Sequence, residues 1–143
     1  MLKDKKIHIV VADDHALFRK GLCNIIRNFD FVASVEEAGD GIELLKHLLH
    51  CTFFPDLVIL DIKMPNLDGI QTNKRLKELH PKLKVIILSM IEEDQFILQM
   101  IKEGVNGYLL KNATEEELKK TIIEVLENDY YYSDYITKLL HKS

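Results

Sequence analysis

The chain has 143 residues, 47% of them hydrophobic and 29% charged, with a formal net charge of -4 at pH 7. That length and balance fit one domain with one good core and exclude a disordered or fibrous chain. The acidic sign argues against a broad nucleic-acid-binding surface, which needs clustered Lys and Arg in excess of the local acids.

Apolar strands and amphipathic helices alternate along the chain. The stretch Ile7 to Ala12 reads as a strand, and Phe18, Leu22, Ile25, Ile26 and Phe29 then recur at helical spacing. A second, more polar strand is expected over Val32 to Ala38, near a sheet edge, followed by a helix with Ile42, Leu45, Leu48 and Leu49 on its apolar face. The third strand, Asp56 to Leu60, is apolar enough to be buried on both faces. Asp68 is placed to cap the helix that carries Ile70, Leu76 and Leu79. The fourth strand spans Lys84 to Leu88, and its helix, with Phe96, Ile97, Met100 and Ile101, stops at Gly104. A short strand, Gly107 to Leu110, precedes a helix whose Thr114 and Glu117 have capping-box spacing and whose Leu118, Thr121, Ile122, Val125 and Leu126 face inward. After residue 127 the pattern changes to a loop and a short helix from about Ser133. Five such units imply right-handed crossovers and a three-layer α/β/α sandwich around a parallel sheet.

The N-terminus, MLKDKKIHIVV, is too short in its apolar run and too soon charged for a signal peptide, and no stretch approaches a bilayer span of roughly 20 apolar residues. Cys23 and Cys51 fall outside any CxxC or ligand-spaced pattern and read as small apolar helix residues. A reduced, cytoplasmic protein without membrane contact is expected.

The chemistry gathers at the carboxyl ends of the strands, the edge where open parallel sheets bind ligands. Those ends carry Asp13 and Asp14, Asp61, Ser89 and Lys111. Crowded carboxylates repel, and a hard divalent cation relieves them. Magnesium suits this donor set: it takes one or two carboxylates, keeps waters and leaves room for phosphate oxygens. Asp14 and Asp61 fit direct coordination, Asp13 a coordinated water, and the backbone carbonyl of Lys63 a further oxygen. Asp61, the middle acid, is the candidate nucleophile toward phosphorus, with Ser89 and Lys111 each placed to reach a phosphoryl oxygen.

The motifs VVADDHALFRKGL, LVILDIKMPNLDGI, VIILSM and GYLLKNA, in this order and spacing, resemble the response-regulator receiver domains of bacterial two-component systems, most closely the NarL/FixJ (LuxR-type) subclass. The resemblance covers residues 5 to 128. It implies a flavodoxin-like (βα)5 fold with sheet order 2-1-3-4-5, and Asp61 as the phosphoacceptor served by a sensor histidine kinase. Asp13 and Asp14 become the acidic pair of a Mg site, Ser89 the switch hydroxyl and Lys111 the family lysine. Tyr108 becomes the aromatic whose rotamer reports phosphorylation, turning inward as Ser89 moves toward the phosphate. Lys63 and Met90 occupy positions that influence dephosphorylation. Asn112 stands where many receivers have a cis proline, so a cis bond is not expected.

By the same resemblance residues 1–128 form the receiver and 129–143 a connector. In such proteins the connector leads to a C-terminal helix-turn-helix domain, and residues 1–143 contain none. The expected function is a phosphorylation switch, not an enzyme, that acts on transcription through that domain, with homodimerisation possible. A stand-alone receiver acting through protein contacts is the alternative. A Mg-dependent aspartyl phosphatase is disfavoured because Lys63 holds the place of its second acid, and a nucleotide binder because no glycine-rich phosphate loop is present. His15 reads as a helix-start residue, and Glu43, His47 and His50 as a solvated helix face.

Overall fold

A computed structural model describes residues 5–142. Its elements are β1 (Ile7–Ala12), α1 (Ala16–Arg27), β2 (Val32–Ala38), α2 (Gly41–His50), β3 (Leu57–Leu60), α3 (Gly69–Leu79), β4 (Lys84–Ser89), α4 (Asp94–Lys102), β5 (Gly107–Leu110), α5 (Glu115–Asn128) and α6 (Asp134–Lys142). The five strands are all parallel, in the flavodoxin-like order β2-β1-β3-β4-β5.

Alternation along the strands divides the core between the two sheet faces. Val10, Ala12, Val58, Leu60, Val85 and Ile87 pack with Leu44, Leu76, Ile97 and Met100 beneath α2, α3 and α4. Ile7, Ile9, Val11, Leu57, Ile59 and Ile86 pack with Leu22, Ile26, Ile122 and Val125 beneath α1 and α5. Burying each such Leu or Ile contributes about 1.5–3 kcal/mol. All of β3 is buried, whereas the edge strand β2 exposes every residue except Val35 and Ala38 to some degree. The expected capping boxes form at Asp68/Gln71 and Thr114/Glu117. Gly104 follows α4 with φ +92°, a conformation that favours glycine.

Two helix faces depart from the sequence expectation. In α2 the inward residues are Gly41, Leu44 and Leu48, while Leu49 is 76% exposed and Ile42 lies largely outside. A Cβ on Gly41 would fall 2.0 Å from Thr72 Oγ1 of α3, so the start of α2 is pressed against α3 on its glycine side and the helix is rotated accordingly. In α3, Thr72, Asn73 and Leu76 are buried, and Leu79, one turn on, is solvent-facing. Cys51 caps the C-terminus of α2 instead of lying within it.

The segment after α5 lies against the domain. The Tyr131 N–H donates to the Asn106 carbonyl at 2.9 Å along the outer edge of β5. The Tyr132 hydroxyl donates to the Val105 carbonyl at 2.7 Å, and Ile136 of α6 is buried in the core beneath α4. The Tyr135 hydroxyl donates to Asp94 Oδ1 at the start of α4, at 2.6 Å.

Candidate functional site

Parallel pairing carries three strands to a common edge. One residue past the strands, the Asp13 N–H donates to the Ala38 carbonyl at 3.0 Å and the Asp61 N–H to the Ala12 carbonyl at 2.9 Å. The Lys111 N–H likewise donates to the Ser89 carbonyl at 2.9 Å. Backbone hydrogen bonds thus fix where each of these side chains departs.

Lys111 reaches across the edge to both buried acids, with Nζ 2.9 Å from Asp13 Oδ2 and 3.1 Å from Asp61 Oδ2. Asp61 Oδ1 also accepts from the Ile62 N–H at 2.8 Å, and Asp13 Oδ1 from the His15 N–H at 2.8 Å. Burial, followed by the nearby Asp13 carboxylate, holds the Asp61 carboxyl above its ordinary range; Lys111 offsets this only in part. Burial pulls Lys111 down, but the two carboxylates outweigh it and hold the ammonium above its usual range. A single cation shared by two buried anions produces both shifts.

Asp14 is exposed beside this pair, and ligand atoms from Asp13, Asp14, His15 and Asp61 lie within 4.8 Å of one another. One ammonium facing three carboxylates leaves a formal excess of two negative charges, and hard oxygen donors dominate the set. Such a donor set fits a hard divalent cation. His15 joins the group in addition to the acids expected from the sequence. Lys63 is exposed and Met90 is 77% exposed, both flanking the edge.

Ser89 and Tyr108 meet at one residue, Ile91. Ser89 is buried, and its Oγ accepts from the Ile91 N–H at 3.0 Å. Tyr108 is also buried, its hydroxyl donating to the Ile91 carbonyl at 2.6 Å, and burial pushes its phenol up to about 12. In this structure the ring lies in the inward position, held by that hydrogen bond. The peptide between Lys111 and Asn112 is trans.

A family model for the response regulator receiver domain matches residues 9–123. The chain belongs to the response regulator receiver domain family. Curated relatives include the transcriptional regulatory protein DegU of Brevibacillus brevis, 31% identical over 99% of this chain and 59% of its own length. Another is the oxygen regulatory protein NreC of Staphylococcus epidermidis, 33% identical over 92% of this chain and 60% of its own length. The chain thus spans about 60% of the length of these relatives. Among solved structures, the receiver domain of the putative response regulator NarL from Mycobacterium tuberculosis has 32% identity and a TM-score of 0.76, covering 87% of this chain and 98% of that one. A LuxR-family two-component response regulator from Aurantimonas superposes with a TM-score of 0.85 at 24% identity, over 96% of this chain and 97% of that one.

The receiver's site includes supporting residues that sequence reasoning passed over. The Arg19 guanidinium donates to the Asp13 carbonyl at 2.5 Å and to Glu37 Oε1 at 2.8 Å, tying the end of β1 to β2. The bond from Arg19 holds the Glu37 carboxyl below the usual range. The Phe18 ring lies 4.6 Å from Lys111 Nζ and contributes a cation–π contact. Gly69 opens α3 directly behind the nucleophile candidate: a Cβ there would fall 2.2 Å from the Asp61 carbonyl oxygen and 2.7 Å from Ile62 Cα. The Gly69 N–H donates to the Ile62 carbonyl at 2.8 Å, fixing this approach. Its signal in the sequence is the Asp68-Gly69 pair that closes the motif around Asp61.

Proposed function

We propose that this receiver takes a phosphoryl group on Asp61 from a sensor histidine kinase in a magnesium-dependent reaction. The observation that carries the reading is the contact of Lys111 with both Asp61 and Asp13 at the edge where Asp14 completes an acidic set. A carboxylate oxygen of Asp61 attacks the phosphorus of a phosphohistidine, the P–N bond breaks, and the departing imidazole nitrogen is protonated from solvent. Lys111 faces a phosphoryl oxygen, and positioning with electrostatics carries the transfer. Asp13, Asp14, Asp61 and the Lys63 carbonyl would hold magnesium, which supplies neutralisation of the phosphoryl charge when bound.

Phosphorylation adds a charge of about -1.5 to -2 and new acceptor oxygens. Ser89 exchanges its bond to the Ile91 N–H for one to the phosphoryl group, which frees the loop between β4 and α4 while Tyr108 keeps hold of the Ile91 carbonyl. The loop then resettles, and the surface of α4, β5 and α5 changes with it. This is a population shift between two arrangements of one loop.

The output in this reading is transcription, through a DNA-binding domain reached by the connector 129–143 and belonging to a longer protein, as the regulators among its relatives suggest. A structure of RcsB bound to DNA, 23% identical with a TM-score of 0.86 over 97% of this chain and 69% of that one, shares the fold. Homodimerisation and a cytoplasmic location belong to the same proposal; no helix among the described residues is long and apolar enough to cross a membrane.

Intact-mass analysis after incubation with acetyl phosphate, with and without magnesium, tests the chemistry. One hydroxylamine-labile phosphoryl group is expected, dependent on magnesium and absent in Asp61→Asn. A folded protein that gains none, or a mutant that gains as much as the native chain, sinks the reading.

A further inference from the structure

We propose that Phe18 is a positioning residue for phosphoryl transfer: its aromatic face holds the Lys111 ammonium over the site while the anions around that ammonium change. The inference rests on the reading of Asp61 as the phosphoacceptor and concerns how this chain keeps its lysine in place during the reaction.

Lys111 follows β5, and Phe18 lies in the first turn of α1. Asp13 ties the two together. Its Oδ1 accepts from the N–H of His15, the N-cap of α1, at 2.8 Å, and its Oδ2 lies 2.9 Å from Lys111 Nζ. The start of α1, and with it the half-buried Phe18, is thereby set relative to the ammonium. An ammonium has three N–H donors and no acceptor. Asp13 and Asp61 offer carboxylate oxygens at 2.9 and 3.1 Å, and Nζ lies over the Phe18 ring, 4.6 Å from its centroid. The Lys111 side chain is 11% exposed, so water has little room to replace any of these neighbours.

Transfer changes this surrounding. The Asp61 carboxylate gives up its negative charge when one of its oxygens joins phosphorus, and the phosphoryl oxygens become the new anion. Lys111 therefore exchanges partners during the reaction. Asp13 stays, but as a candidate metal ligand it shares its charge. The ring is the one uncommitted neighbour, because its attraction comes from the negative face of the π system and does not depend on which anion is present. Phe18 and Lys111 also line one apolar groove of about 270 Å³ between α1 and α5, with Leu17, Leu22, Leu88 and Leu118. Without the ring, water in this groove reaches the ammonium, and the higher local dielectric weakens its pull on a phosphoryl oxygen.

The test follows phosphoryl uptake from acetyl phosphate with magnesium by intact mass over time. It compares the native chain, Phe18→Leu, and proteins carrying phenylalanine with one, two or three ring fluorines at position 18. Leucine keeps an apolar side chain without a π face. Each fluorine draws electron density from the face and weakens its hold on a cation, while the ring keeps nearly its size. Thermal unfolding of every variant checks that the fold is retained. Phe18→Leu should take up phosphoryl about three- to tenfold more slowly, the range that a partly desolvated cation–π contact supplies. Across the fluorinated series the rate should fall step by step, with unfolding midpoints unchanged. Fluorinated proteins that match the native rate beside a slow Phe18→Leu would reduce Phe18 to packing and overturn the proposal, as would native uptake in Phe18→Leu. A folded native chain that gains no phosphoryl group fails at the earlier step, the assignment of Asp61, and takes this inference with it.

Discussion

Two lysines at opposite ends of the sheet show how differently one fold can treat the same side chain. At the carboxyl edge Lys111 is partly buried between Asp13 and Asp61, and its ammonium is held above the ordinary range. At the amino edge Lys77 of α3 lies along Gly104, its Nζ 2.9 Å from Asn106 Oδ1 and 3.5 Å from the Leu83 carbonyl, both neutral acceptors. Burial, with Lys84 nearby, brings it down to about 8. Desolvation acts on both amines; only the first has carboxylates to outweigh it. Lys111 belongs to an edge of stored charge that a dication and a phosphoryl group can use. Lys77 belongs to a bracket in which the buried Asn106 joins α3, β4 and the chain beyond α5.

The largest effect that sharpens this contrast is expected from Lys111→Met. It leaves two buried carboxylates facing each other and should cost about 3 kcal/mol near neutral pH, measured by urea unfolding in the presence of a chelator. Because the folded pKa of Asp61 is raised, its ionised form opposes folding at neutral pH; that opposition fades as pH falls through the raised folded pKa and is gone below the ordinary Asp value. The deficit of Lys111→Met should therefore shrink in acid. Asp61→Asn should instead be more stable than the native chain at neutral pH and lose that advantage in acid; a loss of stability at neutral pH would contradict the assignment.

Gly69→Ala comes next. Its methyl meets the backbone of Asp61 and Ile62, which cannot rotate aside, so a loss of about 2–3 kcal/mol and slower phosphoryl uptake are expected together. Native stability with native uptake would show that α3 can draw back from the site.

The smallest effect belongs to Lys77→Met and lies in the pH dependence. From about pH 8 upward the folded chain releases a proton that the unfolded lysine keeps, so stability rises with pH. Above the ordinary thiol value of 9.0, Cys23, pushed up to about 11 by burial, acts in the opposite sense because the unfolded thiol ionises first. Between about pH 8 and 9 the native chain should thus gain up to about 1 kcal/mol, and Lys77→Met should not. Parallel curves for the two proteins would mean that Lys77 keeps its proton through this range.

Much of the scaffold was legible because its signals are local. Strand runs, the caps at Asp68 and Thr114 and the stop at Gly104 depend on residues a few positions apart, and each appears where expected. The site residues were legible as a list, since strand ends in a parallel sheet share an edge and the motifs matched a known family. The inward face of α2 was not, because hydrophobicity alone made Ile42 and Leu49 look equal to Leu44, and the close approach of Gly41 to α3 settled the rotation. Nor was the seat of α6 on α4, whose anchors Tyr135 and Asp94 are 41 positions apart in sequence.

The sequence by itself determined the order of elements, the family and the identity of the acids, because those follow from periodicity, turn chemistry and motif spacing. Only the tertiary structure decided that Lys111 spans Asp13 and Asp61, that Phe18 and Arg19 support them and that Lys77 lacks a counter-charge among the described residues. These are distances between side chains from different elements, set by how the helices settle on the sheet, and a pattern read along the chain does not contain them.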